Sequence, residues 1–364
     1  MNAPIPKAPP AGVIRMTQSL RRGLAGAERK LVPGHIALLE TVSSRWVGDA
    51  LAAVTRLEVI ESLSDGPRDV DEVAAECGVD AGCLYRLLRA LAREGWLTED
   101  GRRFGLTGLT RPLLRDDPHS LRNMVLETTG PRTAGLWGRL DRAVKTGASV
   151  FGEVYPGQTL WDVLDADPAQ HALFHGAMRE LTRDSAPAFA RAMDWGSEGT
   201  LVDLGGGTGQ LLGTILALHP GLRGVLVDSA SVVAQAGPVL SGLGVTDRSE
   251  VVAGDVTAEI PSGHEVYVAK HILHGSQDDG AVAMLERWAA AIPAGSRLVL
   301  IEMVVPESGP YMAFLDIQMM VGSGGKERTR AEFDDVLSRA GFRLTKVVPT
   351  ATPFSLVVAE RAEA

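Results

Sequence analysis

The sequence predicts an α/β protein in which a mostly parallel, doubly wound sheet follows a mostly helical winged-helix domain. From Gly199 onwards short apolar segments alternate with helical ones, and several are apolar throughout, as in strands buried on both faces. Before that point, the stretch 69–107 combines two short helical patterns with a hairpin signal. The length of 364 residues agrees with two domains.

The beginning of the chain is predicted to be a flexible tail over 1–15, because prolines at positions 4, 6, 9 and 10 disfavour helix and strand pairing. From Met16 to about Ser64, apolar residues recur at three- and four-residue steps, which predicts helix. The N-terminus lacks the apolar run of a signal peptide, and nothing approaches the roughly 18 apolar residues of a membrane span. We therefore expect a soluble, cytoplasmic protein.

The winged-helix pattern consists of a helix from Asp71 to Cys77, a second from about Asp80 to Glu94, and two strand-like segments around Asp100-Gly101. Such a motif suggests DNA binding. However, 69–100 holds eight acidic residues against three basic ones, the wrong sign for a surface that faces phosphates. The whole chain carries a net charge of −9, which also argues against nucleic acid or an anionic membrane as partner.

The middle of the chain, 111–164, contains several prolines and glycines and is predicted to be loop-rich. A long helix from about Pro168 to Ala192 follows it. We accordingly place the first domain at 16–164 and the second at 165–364. The two cysteines, Cys77 and Cys83, provide neither a disulfide framework nor a four-ligand metal site, and we expect no bound metal.

The second domain is predicted to hold seven strands. They are Thr200–Asp203, Gly224–Asp228, Val251–Val252, Glu265–Lys270, Arg297–Glu302, Phe342–Val348 and Ser355–Glu360. A capping box of Thr329 and Glu332 predicts the start of the helix that ends before Gly341.

A glycine-rich turn joins the first of these strands to a helix, with the sequence Asp203-Leu204-Gly205-Gly206-Gly207-Thr208-Gly209. Crowded glycines allow a tight turn whose N–H groups approach a ligand closely. Asp228 follows Gly209 by 19 residues and ends the next strand, where an acid accepts hydrogen bonds from ribose hydroxyls. Asp255, after the third strand, is placed to receive an adenine amino group. Together they predict a nucleoside-bearing cofactor.

A candidate base follows the fourth strand. His274 lies at the carboxyl edge of the sheet, where ligands bind in open α/β folds, and a histidine accepts a proton near neutral pH. Glu302 ends the fifth strand and is placed to orient the imidazole. We interpret the neighbouring His271 as structural and directed elsewhere. Adaptable apolar side chains that suit either a core or a ligand wall are those of Met178, Met319 and Met320.

Taken together, these residues resemble the S-adenosylmethionine-dependent O-methyltransferases of the caffeic-acid and bacterial polyketide-tailoring type, from about Pro33 onwards. The matching motifs are Val202–Gly209, Asp228, Gly254-Asp255, Lys270 with His274, Ile301-Glu302 followed by Pro306, and Gly324-Gly325-Lys326-Glu327-Arg328-Thr329. The resemblance implies a Rossmann-like methyltransferase sheet and an N-terminal winged-helix dimerisation domain, hence a homodimer.

The resemblance also implies roles for individual residues. The cofactor S-adenosylmethionine, released as S-adenosylhomocysteine, would be held by Asp203, Gly205, Gly206, Gly207, Asp228, Asp255, Val256 and Lys270. His274 would be the catalytic base, flanked by Glu302 and Glu327. The small-molecule acceptor would lie against Met178, Met319 and Met320.

One departure from the family pattern bears on the reaction. Members of the family place Asp-Trp after the base histidine, whereas Gly275-Ser276 stands here. We expect O-methylation of a phenolic hydroxyl on a secondary metabolite. The alternatives are methylation of carbon or nitrogen, for example on a 2-oxo acid, and hydroxylation or decarboxylation on the same fold.

Overall fold

The computed structural model describes residues 11–306 and 312–363. The helices of at least four residues are α1 (Ala11–Lys30), α2 (Gly34–Arg56), α3 (Val59–Ser62), α4 (Val70–Cys77), α5 (Ala81–Arg93), α6 (Arg122–Thr128), α7 (Pro131–Trp137), α8 (Leu140–Thr146), α9 (Phe151–Val154), α10 (Leu160–Ala166), α11 (Pro168–Ala190), α12 (Gln210–Leu218), α13 (Ala230–Val233), α14 (Ala236–Gly242), α15 (Asp278–Ala291), α16 (Ala313–Val321) and α17 (Arg330–Arg339). The strands are β1 (Arg68–Asp69), β2 (Leu97–Asp100), β3 (Arg103–Leu106), β4 (Gly199–Leu204), β5 (Leu222–Asp228), β6 (Ser249–Ala253), β7 (Val266–Lys270), β8 (Arg297–Glu302), β9 (Val304–Val305), β10 (Arg328–Thr329), β11 (Phe342–Pro349) and β12 (Ser355–Arg361).

The chain divides into two compact units, each made of more than one stretch of the sequence. The winged-helix unit contains 18–134 and 167–181, and the sheet unit contains 135–166 and 182 onwards, together with the start of α1. The predicted division at 164/165 falls close to 166/167, where the chain passes from the sheet unit to the winged-helix unit. The chain also passes between the units at 134/135 and 181/182. As a division between functional domains, 164/165 stays a prediction.

The winged-helix unit has the predicted order of elements. The side chains of Asp69 and Asp80 cap α4 and α5 by accepting backbone N–H groups, and Gly78 ends α4 in the left-handed conformation. β2 and β3 form the predicted hairpin, and β1 adds to it in the order β1-β3-β2. The apolar faces of these elements close one core, whose fully buried members include Leu88 and Phe104.

The sheet unit is built on seven strands in the order β11-β12-β8-β7-β4-β5-β6. The pairings from β8 to β6 are parallel, and β12 pairs antiparallel with both β8 and β11, so the predicted mostly parallel, doubly wound sheet is confirmed. From β4 the chain first winds outwards to β5 and β6 and then returns to place β7 on the other side of β4. The carboxyl ends of β4 and β7 therefore border the crevice in which ligands bind in such sheets.

Apolar side chains cover both faces of this sheet. Because successive strand residues point to opposite faces, Val202 and Leu204 join one core, whereas Leu201 joins the other. Asp203 points to the same face as Leu201 and is fully buried. The predicted capping box of Thr329 and Glu332 is present at the start of α17.

Two expectations were wrong. The tail predicted over 1–15 overlaps α1, which begins at Ala11; residues 1–10 lie outside the described part of the chain. No proline follows position 10 until Pro33, so nothing there prevents helix formation. The stretch 111–164 is largely short helices, because prolines such as Pro131 stand in first turns, where a missing N–H costs little. Among the described residues, no helix is long and apolar enough to cross a membrane.

Candidate active site

The glycine-rich turn after β4 is closely packed at Gly205 and Gly206 and open at Gly207. A Cβ at Gly205 would lie 2.6 Å from Cδ1 of Ile272, and one at Gly206 would lie 2.5 Å from the carboxyl group of Asp203. Gly207, with φ of 63°, has no atom within 4 Å of where its Cβ would be. A side chain is therefore excluded at Gly205 and Gly206, whereas the space at Gly207 is open to a ligand.

Asp228 ties this turn to the next strand. One of its carboxylate oxygens accepts a hydrogen bond from the N–H of Gly207 at 2.8 Å, and the other accepts one from Ser229 at 2.7 Å. Each carboxylate oxygen can accept more than one hydrogen bond. The carboxylate can thus be held by backbone N–H groups and also accept the hydroxyl groups of a ribose.

Asp203 lies beneath the turn and is fully buried. Neither of its carboxylate oxygens has a hydrogen-bond partner among the described residues. Burial, with the nearby charge of Asp228, raises the pKa of Asp203 to about 7. The structure therefore places this predicted cofactor residue under the loop.

Asp255 and Val256 follow β6, as predicted for the end of the third strand. Oδ1 of Asp255 accepts hydrogen bonds from the N–H and hydroxyl of Thr257, at 2.8 and 2.7 Å. The carbonyl of Val256 accepts one from Nε1 of Trp288 at 2.8 Å. A Cβ at Gly205 would lie 4.0 Å from the Val256 side chain, so the structure brings Val256 close to the glycine turn.

Lys270 ends β7, and its Nζ lies 3.1 Å from Nδ1 of the next residue, His271. Burial lowers the pKa of Lys270 to about 8, although the carboxyl groups of Glu302 and Asp203 act in the opposite direction. The prediction that His271 is directed elsewhere was wrong. Its ring stacks on that of His274, with centroids 5.3 Å apart, because its backbone adopts the left-handed conformation with φ of 56°.

The imidazole of His274 is held between two buried carboxyl groups. Nδ1 lies 2.9 Å from Oε1 of Glu327 and 3.8 Å from Oε2 of Glu302. Burial alone would lower the pKa of His274, but the charges of Glu302 and Glu327 and the hydrogen bond to Glu327 raise it above its ordinary value. The two carboxyl groups therefore stabilise the protonated form of His274, the form that a general base reaches after it has accepted a proton.

Glu302 and Glu327 have different partners. Oε1 of Glu302 accepts hydrogen bonds from the N–H groups of Ile272 and Leu273, at 3.1 and 2.9 Å, so Glu302 fixes the backbone before the base. The hydrogen bond to the ring, which the sequence assigned to Glu302, is made by Glu327. The remaining oxygen of each carboxyl group is buried and has no hydrogen-bond partner among the described residues.

The segment 325–328 is attached to the loop that carries His274. A Cβ at Gly325 would lie 2.0 Å from the carbonyl oxygen of His274, so only glycine fits there. The fully buried guanidinium of Arg328 donates hydrogen bonds to the carbonyls of Leu273 and Ser276 and to Asp278, at 3.1, 2.8 and 3.0 Å. Sequence reasoning assigned Arg328 no role, although its position next to Glu327 in a matching motif was the available signal.

The three methionines lie in different places. Met319 and Met320 are on α16, where Met320 packs against a small core that includes Leu136 and Val321. Met178 is on α11, in the part of that helix that belongs to the winged-helix unit.

Near the base, a Cβ at Gly275 would meet no atom within 4 Å, so the departure at this position leaves open space.

His274, Glu302 and Glu327 are also the one group of three potential metal ligands in 11–306 and 312–363. The 2.9 Å contact between the imidazole and Glu327 is that of a hydrogen bond, which a shared proton already explains.

Family models match most of the chain. An O-methyltransferase domain matches 137–343, and an O-methyltransferase dimerisation domain matches 39–116. The phenazine O-methyltransferase PhzM of Lysobacter antibioticus is 33% identical over 94% of this chain and 99% of its own length. The O-demethylpuromycin-O-methyltransferase of Streptomyces alboniger is 35% identical over 85% of each chain. An 8-amino-8-demethylriboflavin N,N-dimethyltransferase of Streptomyces davaonensis is 34% identical, over 85% of this chain and 91% of its own.

Solved structures agree with these matches. LaPhzM superposes with a TM-score of 0.87 at 33% identity, covering 91% of this chain and all of that one. CalO1, a methyltransferase in calicheamicin biosynthesis solved with S-adenosylhomocysteine bound, superposes with a TM-score of 0.77 at 35% identity, covering 90% and 98%. The similarity therefore extends over both the winged-helix unit and the sheet unit.

Proposed function

Because the chain belongs to the O-methyltransferase family and is an S-adenosylmethionine-dependent methyltransferase of secondary metabolites, we propose that it methylates a phenolic hydroxyl, with His274 as general base. The observation that carries this proposal is the hydrogen bond of 2.9 Å between Nδ1 of His274 and Glu327. It occurs at the carboxyl edge of the sheet, on the loop that follows β7 and Lys270.

The proposed cofactor residues fit S-adenosylmethionine. Gly205, Gly206 and Gly207 leave room for its methionine end, and the carboxylate of Asp228 can accept its ribose hydroxyls. Asp203, Asp255, Val256 and Lys270 complete the proposed site. When bound, the cofactor supplies a methyl group carried on a positively charged sulfur.

His274 provides the base chemistry in this proposal. With Nδ1–H donating to Glu327, the lone pair of Nε2 is left to accept a proton. A phenol with a pKa near 10 is mostly protonated at pH 7, so removal of its proton assists attack, typically by ~10²–10⁴-fold. The negative charges of Glu302 and Glu327 stabilise the imidazolium that forms.

The acceptor is proposed to be a small aromatic molecule that lies against Met319 and Met320 of the sheet unit; the third acceptor contact expected from the sequence, Met178, stays a prediction. Methionine side chains adapt to irregular apolar ligands.

Methylation of nitrogen is the second candidate. A relative at 34% identity is an N,N-dimethyltransferase, and the altered residues Gly275-Ser276 lie directly after His274. An aromatic amine is already a nucleophile without prior loss of a proton. Turnover of an amine should therefore depend less on His274 than turnover of a phenol.

We also propose that two chains pair through 16–164. Four large apolar side chains on one helix are between 62% and 69% exposed in a single chain: Leu38, Leu39, Val42 and Trp46. They lie at or near the start of the region that matches the dimerisation domain. Burial of this apolar surface against a second copy would stabilise a homodimer.

The experiment that tests the reaction uses S-adenosylmethionine with a labelled methyl group. A panel of phenols, amines and 2-oxo acids is offered with and without a chelator, and products are followed by mass spectrometry. Label on a phenolic oxygen that a chelator does not affect supports the proposal. Label on nitrogen supports the second candidate, and label on carbon that is lost with the chelator overturns both. Product without S-adenosylhomocysteine would indicate hydroxylation or decarboxylation.

A further inference from the structure

His271 combines two unfavourable features in one residue. Its backbone is in the left-handed region, which side chains rarely adopt, with φ of 56°. Nε2 of its ring is buried and has no hydrogen-bond partner among the described residues. Strain of this kind persists where surrounding structure enforces it, and it concentrates at functional sites.

The left-handed turn brings the ring of His271 back to the preceding side chain. Nζ of Lys270 lies 3.1 Å from Nδ1 of His271. A protonated lysine only donates hydrogen bonds, so Nδ1 is the acceptor and the ring proton is on Nε2. Burial and the positive charge of Lys270 lower the pKa of His271 well below its ordinary value, which keeps the ring neutral.

The neutral ring lies between two others. Its centroid is 5.3 Å from that of His274, with 27° between the ring planes, and 4.3 Å from that of Phe354. Among the groups that titrate, Lys270 and His274 face His271 directly, whereas Glu302 contacts His274. The base is thus held at one nitrogen by Glu327 and on one ring face by His271.

We propose that His271 is a positioning residue, whose neutral ring is fixed by Lys270 and Phe354 and stacks on His274 to keep the base imidazole in one orientation. The hydrogen bond to Glu327 restrains the ring of His274 at Nδ1 only, and nothing in that bond packs on the ring face. A ring packed on its face removes this freedom. The inference rests on the proposed function in that His274 is taken as the base.

Two substitutions separate the ring from the backbone. His271→Phe keeps an aromatic face but loses the acceptor for Lys270, and His271→Asn tolerates the left-handed backbone and keeps an acceptor but loses the ring. We expect kcat to fall about tenfold to a hundredfold in His271→Asn and no more than about threefold in His271→Phe, with the KM for S-adenosylmethionine unchanged in His271→Asn, which keeps an acceptor for Lys270. His264→Asn, at the opposite end of β7, is the matched control. Equal kcat in His271→Asn and wild type would overturn the proposal, as would an equal loss in both variants.

A second measurement does not depend on the role of His274. In protein labelled with ¹³C-histidine, the ring signal of His274 should carry a ring-current shift that persists in His271→Phe and disappears in His271→Asn. An unchanged His274 signal in His271→Asn would overturn the stacking itself. If His274→Ala retained full activity, the proposed function would fail, while this spectrum would still decide whether His271 orients the ring.

Discussion

Nδ1 of His274 lies 2.9 Å from Oε1 of Glu327, whereas the nearest oxygen of Glu302 is 3.8 Å away. The carboxyl group that orients the imidazole thus comes from a loop 53 residues further along the chain, and not from the adjacent strand. Glu302 instead accepts hydrogen bonds from the backbone that leads to His274. The two acids therefore divide the tasks of holding the ring and holding its loop.

Glu327→Gln should move the pH profile as well as lower the rate. The charge of Glu327 helps to raise the pKa of His274, so its removal lowers that pKa. Because a base acts only when deprotonated, the acidic limb of kcat/KM should move to lower pH, and kcat should fall by about tenfold to a hundredfold. Profiles of wild type and of Glu360→Gln, from an exposed ion pair, provide the comparison. An acidic limb that stays in place would show that Glu327 does not act through the base.

His274→Ala should lose about 10²–10⁴-fold in turnover of a phenol while it still binds S-adenosylmethionine. The proposed cofactor contacts are made by other residues, so the Kd measured by calorimetry should stay within about threefold of wild type. His119→Ala, at an exposed position of the winged-helix unit, is the control. Undiminished turnover would refute the base role and leave alignment of the reactants as the main catalytic effect.

The strands and the residues at their ends could be predicted because the pattern is local. A strand buried on both faces is apolar throughout, and parallel strands present their carboxyl ends at one edge, so Asp228, Lys270 and His274 could be placed from sequence alone. Which of the two acids, Glu302 or Glu327, makes the hydrogen bond to the imidazole of His274 could not be predicted in this way. It depends on how the segment 325–328 packs on the loop of His274, which Gly325 and the buried Arg328 determine.

The direction of His271 was unpredictable for another reason. Apolar patterning carries no sign that a non-glycine residue will adopt the left-handed conformation, and in an extended continuation of β7 its ring would point away from Lys270. The prediction of a tail over 1–15 was wrong for a different reason. Prolines restrict only their immediate surroundings, and α1 begins directly after Pro10.

Arg328→Met should destabilise the protein by about 2–4 kcal/mol, because the carbonyls of Leu273 and Ser276 lose their donor, whereas the partly exposed Asp278 keeps its pair with Lys326. The guanidinium is fully buried and serves Asp278 and the carbonyls of Leu273 and Ser276. Urea denaturation measures the loss. Arg343→Met, which breaks an exposed pair with Glu360, should cost no more than about 1 kcal/mol. Similar losses of stability in Arg328→Met and Arg343→Met would mean that Arg328 does not attach the segment 325–328 to the loop that carries His274.

Trp46→Glu combined with Val42→Glu should convert the proposed dimer to a monomer. Each substitution places a charge on apolar surface that the homodimer would bury, and a buried unpaired charge is strongly unfavourable. Sedimentation equilibrium of the full chain gives the mass. Val144→Glu, at an exposed apolar position of the sheet unit, should leave the mass unchanged. A wild-type mass equal to one chain would rule out the dimer.

Asp203 should give the cofactor-free protein a characteristic dependence of stability on pH. Its pKa is about 7 in the native state and near 3.9 in an unfolded chain, so between these values the native state binds more protons than the unfolded state. The free energy of unfolding contributed by this group therefore falls as pH rises through that window, by up to about 1.4 kcal/mol per pH unit.

Asp203→Asn cannot ionise and should lack this slope. Urea denaturation of both proteins at pH 5 and pH 8, without cofactor, should show a stability difference that moves in favour of the variant as pH rises. Asp255→Asn, at an exposed carboxylate that follows β6, is the matched control. If the difference between wild type and Asp203→Asn were the same at both pH values, Asp203 would be ionised in the native state, and some group beneath the glycine turn would have to stabilise its charge.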